Sequence, residues 1–107
     1  MPSPWRQEIE LVQNYSKHKT FTVTTTTDNA TDVVLISQSM EECNKISLIV
    51  ELGAAYIEFD ADASTTAMYV PQDEGYFDDS IYLGTKISVK NAVNGTNVRV
   101  RGIIWGR

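Results

Sequence analysis

Two alternating runs, Lys86-Ile-Ser-Val-Lys-Asn91 and Thr96-Asn-Val-Arg-Val-Arg-Gly-Ile-Ile-Trp105, meet at Asn94-Gly95, and no other feature of the chain constrains its fold as tightly. Asparagine followed by glycine between period-two segments is the strongest short-range hairpin signal, because both residues tolerate the positive φ of a type I′ turn. A two-residue turn there sets a register: Val93 faces Thr96, Asn91 faces Val98, Val89 faces Val100 and Ile87 faces Gly102 on one side. The other side then carries Lys90 opposite Arg99, Ser88 opposite Arg101 and Lys86 opposite Ile103. Like charges directly across an antiparallel pair repel, so Lys86, Lys90, Arg99 and Arg101 form a basic face that requires acid from elsewhere.

Acid is present, and it is segregated. Twelve of the 14 acidic residues lie between Asp28 and Asp79, accompanied by Lys45 alone, whereas five cations and no acid follow Ser80. The net charge of -5 argues against a dedicated nucleic-acid binder, and the basic face lacks interleaved aromatics. Such segregation is either cancelled inside one fold or satisfied between copies that meet acid to base.

The 107 residues suffice for one core and are too few for two. Threonine, valine and isoleucine are abundant and leucine is scarce, which favours pleated surfaces over helices. Short strand candidates follow one another: Thr20 to Thr26, Asp32 to Gln38, Ile46 to Leu52, Ala55 to Phe59, Met68 to Val70, Tyr76-Phe77 with Ser80 to Leu83, and the two terminal runs. Ser39, with Glu42 three residues on, is placed to cap a helical turn between the second and third. Eight or so strands, no long helix and no fixed repeat predict an all-β fold, a jelly-roll-like antiparallel β-sandwich or a small barrel over residues 20–107. Residues 1–19, with two early prolines and a polar stretch from Gln13 to Lys19, read as an extended N-terminal arm anchored by Trp5, Ile9, Leu11 and Val12.

Residues able to carry catalysis are few. The single histidine, His18, sits between Lys17 and Lys19, which oppose its protonation, and no carboxylate is placed by sequence to orient it. Cys43, the only cysteine, cannot form an internal disulfide; two adjacent glutamates disfavour its thiolate, so it reads as a packing residue. Asp60-Ala-Asp62-Ala-Ser64 begins like a calcium loop and then fails, with Thr65 and Pro71 where an EF-hand needs glycine and glutamate. An irregular site with Asp73, Glu74, Asp78 or Asp79 and a solvated acidic rim are the two readings of that region. Glu58 and Asp60 share a face, as a glycosidase pair must, only if their strand continues past Phe59. The neighbouring Tyr56, Tyr69, Tyr76, Phe77 and Tyr82 are expected to serve the core. No cofactor, metal or enzymatic activity is predicted.

The first residues lack the basic start and apolar core of a signal peptide, and no apolar run approaches the roughly 20 residues of a membrane span, so synthesis in the cytoplasm and no membrane contact are expected. Asn14-Tyr-Ser, Asn29-Ala-Thr and Asn94-Gly-Thr then read as turn chemistry and not as glycosylation sites.

The final third, from Gly75 through Ile87-Ser-Val-Lys-Asn-Ala92 and the Asn94-Gly95 turn to Trp105-Gly-Arg, resembles the ends of small all-β virion proteins of tailed bacteriophages, capsid cement or decoration proteins above all. The resemblance implies a jelly-roll-like protein that assembles as trimers or dimers on the capsid surface, a homotrimer being expected here, and that clamps neighbouring major capsid protein subunits through a terminal arm. A tail or head-tail junction component of the same particle is the first alternative. A carbohydrate-binding module is the second.

Overall fold

The computed structural model describes residues 16–25 and 28–107. Eight strands form two four-stranded antiparallel sheets. In chain order they are β1 (Lys17–Thr25), β2 (Thr31–Leu35), β3 (Cys43–Glu51), β4 (Ala55–Phe59), β5 (Met68–Val70), β6 (Gly75–Asp78), β7 (Lys86–Asn91) and β8 (Val98–Gly106). A 3-10 turn over Ile36–Gln38 follows β2 directly, ahead of the place where Ser39 is expected to cap one. The stretch from Ser80 to Leu83 forms no full strand: Leu83 makes a single bridge to Cys43.

Sheet I has the order β1-β8-β3-β6 and sheet II the order β2-β7-β4-β5. Each strand of the first half therefore pairs with its counterpart counted from the end: β1 with β8, β2 with β7, β3 with β6 and β4 with β5. The chain is one long hairpin folded about the β4–β5 connection and rolled until β8 also meets β3 and β7 meets β4. This is the jelly-roll arrangement, and the sandwich is not closed into a barrel. It is the fold class predicted from strand spacing.

The predicted β7–β8 hairpin does not form. β7 lies in sheet II and β8 in sheet I, so the segment between them crosses from one layer to the other. A turn does occur at Asn94-Gly95, closed by Thr96 N–H donating to Val93 O at 3.1 Å, but φ is positive at Gly95 (79°) and not at Asn94. A two-residue hairpin of type I′ needs positive φ at both, and a turn with the left-handed residue only in its second central position splays the flanking strands apart. Asp28, in the β1–β2 connection, holds this end. Its Oδ1 accepts from Gly95 N–H at 2.8 Å and from Asn91 Nδ2 at 2.9 Å, and Asn91 Nδ2 also donates to Thr96 O.

The alternation survives the changed pairing. Ile87 and Val89 project inward from sheet II, Val98, Val100 and Ile104 project inward from sheet I, and all five are fully buried against one another's layers. With Ile36, Ile46, Val50 and Ile57 they make a largely β-branched aliphatic core. The expectation that Tyr56, Tyr69, Tyr76, Phe77 and Tyr82 serve this core is met only by the half-buried Tyr76, which packs against it: Tyr69, Phe77 and Tyr82 retain 55%, 59% and 71% of their exposure, and the half-buried Tyr56 lies on the outer side of its strand. β-branched side chains already fill most of the narrow space between the two pleated surfaces, with Phe21 buried among them and Phe59 and Tyr76 packed against them.

Candidate interaction surfaces

Placing β7 and β8 in different layers dissolves the predicted basic face. Lys86 and Lys90 belong to sheet II, whereas Arg99 and Arg101 project from the outer side of sheet I. Acid from the Asp28–Asp79 half meets these cations within the same chain. Lys86 Nζ lies 3.1 Å from Asp32 Oδ1 and also contacts Asp62. These two carboxylates, Asp62 first, raise its amine above the ordinary lysine value. Glu51, opposite Arg99 on β3, receives both Arg99 Nε and Nη2 at 3.3 Å and Arg101 Nε at 2.6 Å. The Arg99 hydrogen bonds, above all, hold the Glu51 carboxyl below the usual range. Arg107 pairs with Glu42, and the charge of Lys90 acts on Asp28. The charge segregation visible in the sequence is thus largely cancelled inside one subunit. Trp5, Ile9, Leu11 and Val12 lie outside the described residues.

The residues weighed for chemistry take structural positions. β4 ends at Phe59, and Asp60 turns away with φ of 60°. Its carboxylate accepts the backbone N–H groups of Gly84, Thr85 and Lys86 at 2.8 to 3.1 Å, which makes it a clamp between two connections. Glu58 Oε1 accepts its neighbour's Phe59 N–H, so each of the two carboxylates is engaged by backbone N–H groups. The rest of the Asp60–Ser64 segment packs onto sheet II, where Ala63 N–H donates to the buried Ser88 Oγ at 2.9 Å. Among the described residues no cluster of three or more His, Cys, Asp or Glu side chains could hold a metal ion. Cys43 is fully buried, and burial pushes its thiol up. His18 is not on an arm: it is the second residue of β1, exposed, with Trp105 as its neighbour in the ladder.

The outer face of sheet I carries the most distinctive surface. Alternation along β8 sends Arg99, Arg101, Ile103 and Trp105 outward when Val98, Val100 and Ile104 point inward. β3 contributes Lys45, Ser47 and Ile49 to the same face, β6 contributes Phe77, and β1 contributes Thr20, Thr22 and Thr24. Lys45 extends its ammonium over two rings, 4.6 Å from the Trp105 centroid and 5.6 Å from that of Phe77, a favourable cation–π position. Beside it runs a shallow groove of about 430 Å³ edged by Thr20, Thr22, Ser47, Ile49, Arg101 and Ile103. Its floor is the backbone at Gly102, where β8 approaches β3 so closely that an added Cβ would stand 2.1 Å from Ser47 O. Sequence reasoning did place Ile103 on the side of Arg99 and Arg101. It missed Lys45, Ile49 and Phe77, because which strands flank β8 is not written in β8.

On the outside of sheet II, Tyr56 and Tyr69 are ladder partners whose ring centroids lie 5.7 Å apart, and Tyr56 is also opposite Lys90. Among the described residues no helix is long and apolar enough to cross a membrane.

Comparison of the chain with known protein families, with characterised proteins and with solved structures finds no match to any of the three.

Proposed function

We propose that this chain is a non-enzymatic virion structural protein of the capsid decoration type, attached to major capsid protein subunits through the outer face of sheet I with the residues ahead of β1 as a tether. The observation that carries the reading is the apolar content of that face: Phe77 is 59% exposed and Ile49 36%, beside half-buried Ile103 and Trp105, with the hydroxyls of Thr20, Thr22, Thr24 and Ser47 and the charges of Lys45, Glu51, Arg99 and Arg101 around them. A contiguous apolar patch rimmed by polar groups marks a protein-binding surface. The resemblance of the last third to phage virion proteins points the same way. Lys86, Arg99 and Arg101 then act mainly inside the subunit, and multivalent attachment allows each contact to be modest.

The test is reconstitution on phage heads that lack the protein. The wild-type chain is expected to bind in hundreds of copies per head, and the Ile49→Glu, Phe77→Glu double variant to stay folded and fail to bind. Removing residues 1–15, which leaves β1 whole, is expected to weaken attachment without unfolding the domain. Full occupancy by the double variant refutes the proposed face, and a copy number near a dozen moves the protein to the tail or the head-tail junction. The exposed Tyr69, Phe77 and Tyr82 rings favour one further reading, a carbohydrate-binding module, for which Trp105 fluorescence on sugar titration is the readout.

A further inference from the structure

The edges of this sandwich are unequal. β6, β5 and β2 are four, three and five residues long, and β2 is interrupted by a register shift between Asp32 and Val34. β1, the remaining edge, runs nine residues in unbroken register with β8 from Lys17 to Thr25, and among the described residues no strand pairs with its other side. An edge strand presents a row of N–H and C=O groups ready to pair with another chain, and proteins commonly blunt such edges with shortness, bulges, prolines or charges. Three edges here are blunted. The middle of β1 is not: Thr20-Phe-Thr-Val-Thr24 contains no proline, glycine or charge.

That segment also reads alike in both directions about Thr22, with threonine at 20, 22 and 24 and an apolar residue at 21 and 23. We propose that β1 pairs antiparallel with β1 of a second copy about a two-fold axis at Thr22, joining two four-stranded sheets into one of eight strands. The partner is another molecule of this chain because the register is self-complementary. Thr20 faces Thr24 of the second copy and Phe21 faces Val23, so hydroxyls meet hydroxyls on the outer side and apolar groups meet on the inner side, where Val23 is only half-buried in the single subunit.

Charge excludes two competing arrangements. A parallel pair would set Lys17 beside Lys17 and Lys19 beside Lys19, and an antiparallel pair centred on His18 would set Lys17 against Lys19. Centring on Thr22 places Lys19 opposite Thr25 and carries the two basic ends away from each other. Such a contact is isologous and closes with two copies, so it favours the dimer over the homotrimer among the assemblies that the resemblance implies. It stands independently of what the outer face of sheet I binds.

The experiment uses the full chain at tens of micromolar in sedimentation equilibrium, with two substitutions at Thr22, whose side chain is exposed in the subunit. The wild type is expected to have the mass of a dimer. Thr22→Cys is expected to give a disulfide-linked dimer on mild oxidation, because facing residues of an antiparallel pair lie about 4.5–5.5 Å apart at Cα, within disulfide range, and the buried native Cys43 gives no background. Thr22→Lys sets two ammonium groups across the axis and is expected to weaken the dimer at least about tenfold, with partial recovery in high salt and an unchanged circular dichroism spectrum. A monomeric or trimeric wild type overturns the proposal. So does a dimer that Thr22→Lys leaves intact and Thr22→Cys fails to cross-link.

Discussion

Replacing Gly102 by alanine adds one methyl group where the ladder has no room for it. The new Cβ would stand 2.1 Å from Ser47 O, 2.8 Å from Leu48 Cα and 3.0 Å from Leu48 Cβ, all on β3. Neither strand is free to retreat, since Gly102 is paired with Phe21 of β1 on its far side and Ser47 and Leu48 are paired with Phe77 and Tyr76 of β6 on theirs. Relief therefore requires a shift of more than about 1 Å in a strand tied on both sides, which belongs at the upper end of overpacking costs, about 3 kcal/mol. Restricting the unfolded chain by Gly→Ala recovers roughly 0.4–1 kcal/mol, leaving a net loss of about 2 kcal/mol. For a domain of this size that lowers Tm by roughly 8–16 °C. Gly84→Ala is the control, because a Cβ there meets nothing within 4 Å, and its Tm should stay within a few degrees of wild type. Thermal unfolding of the three proteins by circular dichroism decides the matter. If Gly102→Ala melts within about 3 °C of wild type, β8 is not lodged between β1 and β3 as described. The hairpin register, which sets Gly102 opposite Ile87, provides no such conflict with β3.

Two further outcomes are expected. Ile104→Ala, which empties a fully buried site, should cost about 2–5 kcal/mol by denaturant titration, whereas Phe77→Ala on the surface should change stability by no more than about 0.5 kcal/mol. Asp28 is lowered from 3.8, chiefly by Gly95 N–H and then by Asn91, and Glu51 is lowered from 4.5, chiefly by its Arg99 hydrogen bonds. As the pH falls the unfolded chain therefore takes up these protons before the folded one. Their contribution is full above the unfolded values and is lost as the pH drops through the lower folded values. Tm measured from pH 7 to pH 2 should fall more steeply below about pH 4.5 in the wild type than in an Asp28→Asn, Glu51→Gln double variant, and equal slopes would refute the assignment.

Alternation along the chain was enough to say which side chains face the core. Phe21, Ile46, Leu48, Val50, Ile57, Val98, Val100 and Ile104 are buried, and the strands Ala55–Phe59 and Met68–Val70 have the limits their patterns predict. A period of two is a property of each strand alone, so it is legible in the sequence. Ile103 falls on the side of Arg99 and Arg101 for the same reason. Strand partnership is a different kind of fact. Val89 and Val100 would share a face in a hairpin and oppose each other across a sandwich, and the same alternation satisfies both. Tertiary structure alone settled the choice, through a left-handed residue at Gly95 without one at Asn94, through the hold of Asp28 on Asn91 and on Gly95, and through the pairing of β1 with β8. The surfaces follow the same division. The sequence separates acid from base, yet only the rolled hairpin brings Asp32 and Asp62 to Lys86 and Glu51 to Arg99 and Arg101, and lays Lys45 and Phe77 beside Trp105. Those contacts join residues tens of positions apart, and their geometry is decided by how two sheets close over one aliphatic core, which no local pattern encodes.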